Sequence, residues 1–226
     1  MEIEAKFRVE QRELFADLLR LTALGPFTLL PTPGIEYQRN TYFDTPDRRL
    51  AARHYSLRVR DLGRRRIGTL KHSLHNQAGV QTREEWEVDL DGGDDPGAWP
   101  ASTAREQALA ALGGAAVVPL VTVHTQRQYM YALRAAVVIA EISLDEGTIA
   151  AGGQALDFRE LEVELMNGQP RAELDAVTAQ LQTRYPLVPE ARGRKTRGLA
   201  LLDHPGKAAP LLPGGLSPAR MANTGR

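Results

Sequence analysis

The amino-acid sequence predicts an α+β fold: an eight-stranded antiparallel β-barrel with a charged interior and helices packed on its outside. Two observations carry that expectation. About eight stretches read as strands against three or four as helices, and the turns between them are short, which favours antiparallel neighbours. The polar faces of those strands are almost purely ionic, and the opposite faces are apolar.

The first strand covers 2–9, where Glu2, Glu4, Lys6 and Arg8 alternate with Ile3, Ala5, Phe7 and Val9. Residues 11–24 place Leu14, Phe15, Leu18 and Leu21 on one stripe, the mark of an amphipathic helix. Strands follow at 37–44, 54–61, 66–74 and 81–90. In these, Arg58 and Arg60 oppose Leu57 and Val59, while Arg83, Glu85, Glu87 and Asp89 oppose Trp86, Val88 and Leu90. Loops at 92–100 and 113–114 flank a short helix from Ser102 to Leu112, with Glu106 near its first turn. Three more strands cover 119–131, 136–146 and 156–166. Here Glu141, Ser143 and Asp145 oppose Ile142 and Leu144, and Glu160, Glu162 and Glu164 oppose Leu161, Val163 and Leu165. Gln169-Pro170 opens a helix over 171–184, apolar at Leu174, Val177 and Leu181 and stopped by Pro186. One domain of residues 1–204 is expected, followed by a Pro-, Gly- and Ala-rich loose tail, 205–226, whose Leu211 and Leu212 could tack onto the body.

Composition narrows the function. The 226 residues include 28 basic and 28 acidic ones, so the net charge is zero, without the positive surplus of a general nucleic-acid binder. Cysteine is absent, which excludes thiolate chemistry, disulfides and Cys-based zinc sites and fits a reducing cytoplasm. No apolar run approaches the ~20 residues needed to cross a bilayer, and the charged start is not a signal peptide. The expectation is a cytoplasmic monomer or homodimer with neither membrane nor nucleic acid as partner. Lysine occurs only at Lys6, Lys71, Lys195 and Lys207. In so Arg-rich a chain, a retained Lys marks a place for a compact point charge.

The ionic faces admit two readings. One is an ordinary sheet with its charged side in water. The other is a lumen. Acids stand two residues apart with no base between them (Glu2 and Glu4; Glu85 and Glu87; Glu160, Glu162 and Glu164), and such neighbours repel unless a cation is bound. The basic faces (Lys6, Arg58, Arg60, Lys71, Arg83, Arg127) ask for an anion in the same way. A polyphosphate with Mg²⁺ or Mn²⁺ meets both demands, because hard cations take oxygen ligands and phosphates take Arg forks.

Several segments in chain order resemble one family. Glu2-Ile3-Glu4-Ala5-Lys6 matches the ExExK signature of the CYTH superfamily, the triphosphate tunnel metalloenzymes. Tyr42-Phe43-Asp44-Thr45-Pro46 resembles its YFDTP segment, Leu57-Arg58-Val59-Arg60 its LRxR strand and Thr69-Leu70-Lys71 its TxK strand. Arg83-Glu84-Glu85 resembles RxE, Glu141 to Gly147 resembles ExxxDxG, Glu160 to Leu165 resembles ELExEL, and Arg197-Gly198 a terminal RG. One departure stands out: the family's final Ser-Lys, two residues, Arg-Gly has Arg194 at the Lys place, with Lys195 shifted by one. Which of the two touches phosphate stays open.

The resemblance implies an eight-stranded, metal-dependent tunnel acting on a small-molecule triphosphate. It puts the metal on Glu2, Glu4, Glu162 and Glu164, and the phosphates on Lys6, Arg58, Arg60, Lys71, Arg83 and Arg127, with Arg194 or Lys195. Glu160 or Glu162 would orient the attacking water, and Lys6 belongs to the same catalytic group. Inorganic triphosphate is the simplest substrate; the alternatives are a class IV-type adenylate cyclase and a thiamine triphosphatase. Other residues have plainer readings. Asp44 and Thr45 are turn residues or ligand contacts, and Asp145 reads as closing a hairpin unless it faces the tunnel. The stretch 127–131 reads mostly as wall packing, with Arg127 the exception, and the sequence offers no obvious stacking pair for a base at the tunnel mouth. His54, His72, His75, His124 and His204 show no ligand spacing.

Overall fold

The structure, a computed structural model, describes residues 2–77 and 80–204; the expected loose tail, with Leu211 and Leu212, lies outside the described residues. In chain order the elements are β1 (Glu2–Arg8), α1 (Glu13–Leu18), β2 (Ala23–Leu24), β3 (Phe27–Pro31), β4 (Glu36–Asp44), α2 (Arg49–Ala52), β5 (Tyr55–Asp61), β6 (Arg66–Gln77) and β7 (Val80–Asp89). A 3₁₀ turn (Pro96–Ala98) leads to α3 (Thr103–Leu112), β8 (Val118–Arg134), β9 (Val137–Ala151), β10 (Gln154–Leu165), α4 (Arg171–Arg184), β11 (Val188–Pro189) and α5 (Arg194–Asp203). Eight strands pair in the order β8-β4-β5-β6-β7-β1-β10-β9, and β9 pairs back onto β8. Every pairing is antiparallel, so the expected eight-stranded barrel closes on itself. The short β2 and β3 extend along β8, and β11 pairs with β1.

Alternation sorts the side chains as the ionic pattern requires. Leu57, Val59 and Leu70 turn outward under α3, in a cluster with Trp99, Ala104, Ala108 and Leu112. A larger outer cluster joins Ala5, Phe7, Ile142, Leu144, Leu161 and Val163 of the wall to Leu14, Phe15 and Leu18 of α1 and Leu174, Val177 and Leu181 of α4. Fully burying such side chains is worth about 1.5–3 kcal/mol each, and this outer packing holds the helices to the barrel. Among the described residues no helix is long and apolar enough to cross a membrane.

Four features depart from the sequence reading. The helix expected over 11–24 ends at Leu18, because the chain must form the β2–β3 hairpin, whose turn holds Pro26, a residue with no N–H to carry a helix on. Strand β9 runs through Glu146-Gly147 to Ala151 instead of turning there. Gly147 serves a close backbone approach: a Cβ at that place would overlap the His124 carbonyl oxygen of β8. Asp145 is therefore a mid-strand residue, fully buried, and not a hairpin closer. Helices α2 and α5 and strand β3 have no counterpart in the sequence pattern: α2 and β3 are too short to set a period, and the apolar residues of α5 all follow Gly198.

Candidate active site

Cross-strand partners carry the charged faces around the inside of the barrel: Tyr42 meets Arg58, Lys71 meets Glu85, Glu2 meets Arg83, Lys6 meets Glu162 and Arg127 meets Asp145. They enclose a cavity of about 590 Å³, in the range of small-molecule sites. Its lining includes Glu2, Glu4, Glu162 and Glu164, and also Lys6, Arg58, Arg60, Lys71, Arg83, Arg127, Arg194 and Lys195. Glu85, Glu87, Glu141 and Tyr42 line it as well. The structure thus brings together every site residue expected from sequence except Glu160.

The acids and bases of the lumen are interleaved as ion pairs. Lys71 Nζ lies 2.7 Å from Glu2 and 3.0 Å from Glu85, and Arg83 lies 3.0 Å from Glu4. Arg127 grips Asp145 with two hydrogen bonds of 2.8 and 2.6 Å and donates to Glu162 at 2.8 Å. Glu162 also accepts from Lys6 and, at 2.9 Å, from Arg194. Burial pushes the Glu162 carboxyl up, but Arg194, Lys6 and Arg127 outweigh it and hold the group well below the usual carboxylate range. The same competition, burial against Arg127 and Arg194, lowers Asp145.

Three groups break this pairing. Burial, with Arg58 and Arg127 nearby, lowers Arg60 to about 10, and its hydrogen bond goes to the neutral Asn40 at 2.9 Å. Burial also lowers Lys195, whose ammonium donates to the Tyr55 carbonyl at 2.6 Å. Glu164 is the opposite case. It faces the water of the cavity, yet the protein walls around it and then Glu2, Glu4 and Glu85 raise its carboxyl to about 8. Tyr42 stands among the cations: burial raises its hydroxyl, and Arg58, Arg194, Lys6 and Arg60 together bring it below its ordinary value.

Helix α5 explains the position of Glu160. Phe158, Val121, Val123 and Ile149, with Leu201 of α5, form an apolar cluster at one end of the β8–β9–β10 wall. From the first turn of α5, Arg194 reaches Glu160 at 2.8 Å and Asp145 at 2.6 Å, and Arg197 takes the other Glu160 oxygen. Glu160 is completely buried behind Arg194, outside the cavity lining. It holds Arg194 in place and, 3.5 Å from the Lys6 ammonium, stands behind the lining of the lumen. Of the two candidates at the departed motif, Arg194 is the one spent on carboxylates, and Lys195 has no ion pair among the described residues. Arg8 leaves the lumen too, exposed beside Glu10. Asp44 ends β4, and its carboxylate accepts from the backbone of Thr45 and, in the first turn of α2, of Leu50 and Ala51.

For a metal, the donor chemistry fits more closely than the arrangement. Among the described residues no three carboxylate or imidazole groups gather at metal-ligand spacing, because every acid of the lining but Glu164 leans on a base. Even so, Glu2, Glu4, Glu85 and Glu164 crowd one region strongly enough to raise Glu164, and Glu164 has no ion pair among the described residues. A surplus of oxygen donors with one unpaired carboxyl suits a hard divalent cation.

The model of a protein family described as CYTH domain matches residues 1–193. Solved structures of similar fold include an adenylyl cyclase candidate from Hippeastrum, described as having a dominant triphosphatase activity. It is 21% identical with a TM-score of 0.65, covering 96% of this chain and 98% of that one. An adenylate cyclase candidate from Bacillus halodurans is 22% identical with a TM-score of 0.58, covering 86% and 96%. A protein from Pyrococcus horikoshii is 19% identical with a TM-score of 0.54, covering 87% and 99%.

Proposed function

The chain belongs to the CYTH family, and from that premise we propose that it is a divalent-metal-dependent triphosphatase, hydrolysing inorganic triphosphate to pyrophosphate and phosphate. The observation that supports this reading is the near balance of the lumen: eight basic against seven acidic side chains line one cavity. A bare polyanion would leave the acids facing it. A polyanion that arrives with a divalent cation suits both halves.

Loading the lumen then exchanges partners. Phosphate oxygens take over Lys6, Arg127 and Arg58, join Arg60 and Lys195, and release carboxylate oxygens from their ion pairs. Glu2, Glu4, Glu164 and the freed Glu162 would hold Mg²⁺ or Mn²⁺, which when bound neutralises charge on the terminal phosphoryl group. Phosphoryl transfer asks mainly for such neutralisation and for alignment. A water oxygen forms its bond to the terminal phosphorus as the bridging P–O bond breaks, and pyrophosphate leaves with the electron pair. Glu162, facing the lumen, orients that water and takes its proton. Glu160 acts at one remove, by fixing Arg194.

The test is a phosphate-release and cyclic-AMP assay of the pure protein with inorganic triphosphate, ATP and thiamine triphosphate, in Mg²⁺ and in Mn²⁺. Inorganic triphosphate should be turned over fastest, with loss of at least about a hundredfold in Glu4→Gln, the scale of removing one group that acts on the transition state. Cyclic-AMP formation outpacing phosphate release would favour the cyclase, and a preference for thiamine triphosphate would favour that alternative. Full activity in Glu4→Gln would remove Glu4 from the site.

A further inference from the structure

Arg60 is the one lumen arginine that holds no carboxylate among the described residues. Lys6, Arg58, Lys71, Arg83, Arg127 and Arg194 each have an acid within ion-pair distance. The wall around Arg60 supplies none on its own row. Its cross-strand partners are Asn40 of β4 and Ile67 of β6, and Asn40 in turn pairs with Val123 of β8. What meets the guanidinium instead is a chain of neutral amides. Glu36, Gln38 and Asn40 alternate along β4 and so share one face. Arg60 Nε donates to Asn40 Oδ1 at 2.9 Å, Asn40 Nδ2 to Gln38 Oε1 at 3.3 Å, and Gln38 Nε2 to Glu36 Oε1 at 2.6 Å. Arginine only donates and a carboxylate only accepts, so the two ends fix which way both amides point. Asn40 and Gln38 are buried, and neither is among the residues that line the cavity.

Resting on the triphosphatase reading, we propose that Asn40 is the positioning residue of Arg60: its amide aims the guanidinium into the lumen and keeps it clear of any carboxylate, so that a phosphate group meets a cation with no ion pair to break. Neutrality is what the place requires. A carboxylate there would cancel the charge that the phosphate needs. An apolar side chain would leave Nε without its acceptor and let the arginine swing toward Glu87, which lines the same cavity. The Glu36 carboxylate still supports the charge from the far end of the chain, because hydrogen bonds in series polarise one another. Asn40 touches no substrate and acts through Arg60 alone. An anchor that holds the phosphates before and during the reaction shows in affinity and KM, not in kcat.

The experiment is calorimetric titration of inorganic triphosphate with Mg²⁺, alongside phosphate release and thermal melts, for the parent protein, Asn40→Ala, Asn40→Asp, Arg60→Gln and the double variant of Asn40→Ala with Arg60→Gln. Asn40→Ala should weaken binding about tenfold, the scale of one hydrogen bond to a charged group, yet only within about twofold in the Arg60→Gln background. Its KM should rise with the dissociation constant while kcat stays within about threefold. Asn40→Asp, of the same size and shape, should also bind about tenfold more weakly and melt no lower than the parent, because its carboxylate pairs with Arg60. Equal losses from Asn40→Ala in both backgrounds would make Asn40 a packing residue and overturn the proposal. Parent-like binding by Asn40→Asp overturns it too, as does weaker binding with a lowered melting temperature, and all three leave the triphosphatase reading intact. A parent protein that binds no inorganic triphosphate overturns both.

Discussion

Glu164 concentrates the repulsion among the acids of the lumen. Its carboxyl is raised from 4.5 to about 8, first by the surrounding protein walls and then by Glu2, Glu4 and Glu85. Between those two values the folded chain binds more protons than the unfolded one, so stability falls as pH rises across that window. Glu164→Gln should therefore be more stable than the parent at about pH 8–9 without divalent cation and equal to it below about pH 4.5, as read from urea melts across that range. A variant no more stable at the alkaline end contradicts the crowding of acids. Period-two alternation made Glu164 legible in the sequence, as it did Glu2, Glu4, Lys6, Arg58 and Arg60, because the face a strand residue takes is a local property. Asp145 was not legible. Its neighbour Gly147 looks like a turn residue, and only the pairing of β8 with β9 shows that the glycine answers a close contact.

At the scale of one element, α5 decides how Arg194 sits against the lumen. Its Arg194 and Arg197 anchor on Glu160, and its Leu201 joins the apolar cluster with Val121 and Ile149. Gly198 makes the approach possible: a Cβ there would collide with the Val121 side chain and lie 3.1 Å from Ile149. Alanine ordinarily gains up to about 1 kcal/mol over glycine within a helix, but overpacking of this kind costs about 1–3 kcal/mol. Gly198→Ala should lower stability on balance and reduce phosphate release, since lifting α5 moves Arg194 away from Asp145 and Glu162. Adding Val121→Ala should restore part of both, measured by thermal melts and turnover. A stabilised, fully active Gly198→Ala would mean that α5 does not seat Arg194. Glu160 shows the same dependence: its parity is that of the lumen face, but α5 stands in front of it, and no strand pattern reports that.

The whole molecule is a cavity balanced against itself. With pyrophosphate, fewer phosphate oxygens replace the carboxylates that Lys6, Arg127 and Arg58 give up, and each buried charge left without a partner costs on the order of a few kcal/mol. Pyrophosphate should accordingly be hydrolysed scarcely at all by protein that turns over inorganic triphosphate; equal rates would show that the match of charge and length does not set the choice. The closed order of strands has a further consequence, for the chain as it is made. The last seam of the barrel joins Glu4 to Glu164 and Lys6 to Glu162. During synthesis at about 5–20 residues per second, that side of β1 waits roughly 8–30 s for β10 to emerge. A bare strand edge invites foreign strands, and inward-pointing charge is one of the ways proteins discourage them. Glu2, Glu4 and Lys6 supply such charge while the seam stands open, so the residues proposed to receive a ligand also guard the nascent chain against aggregation.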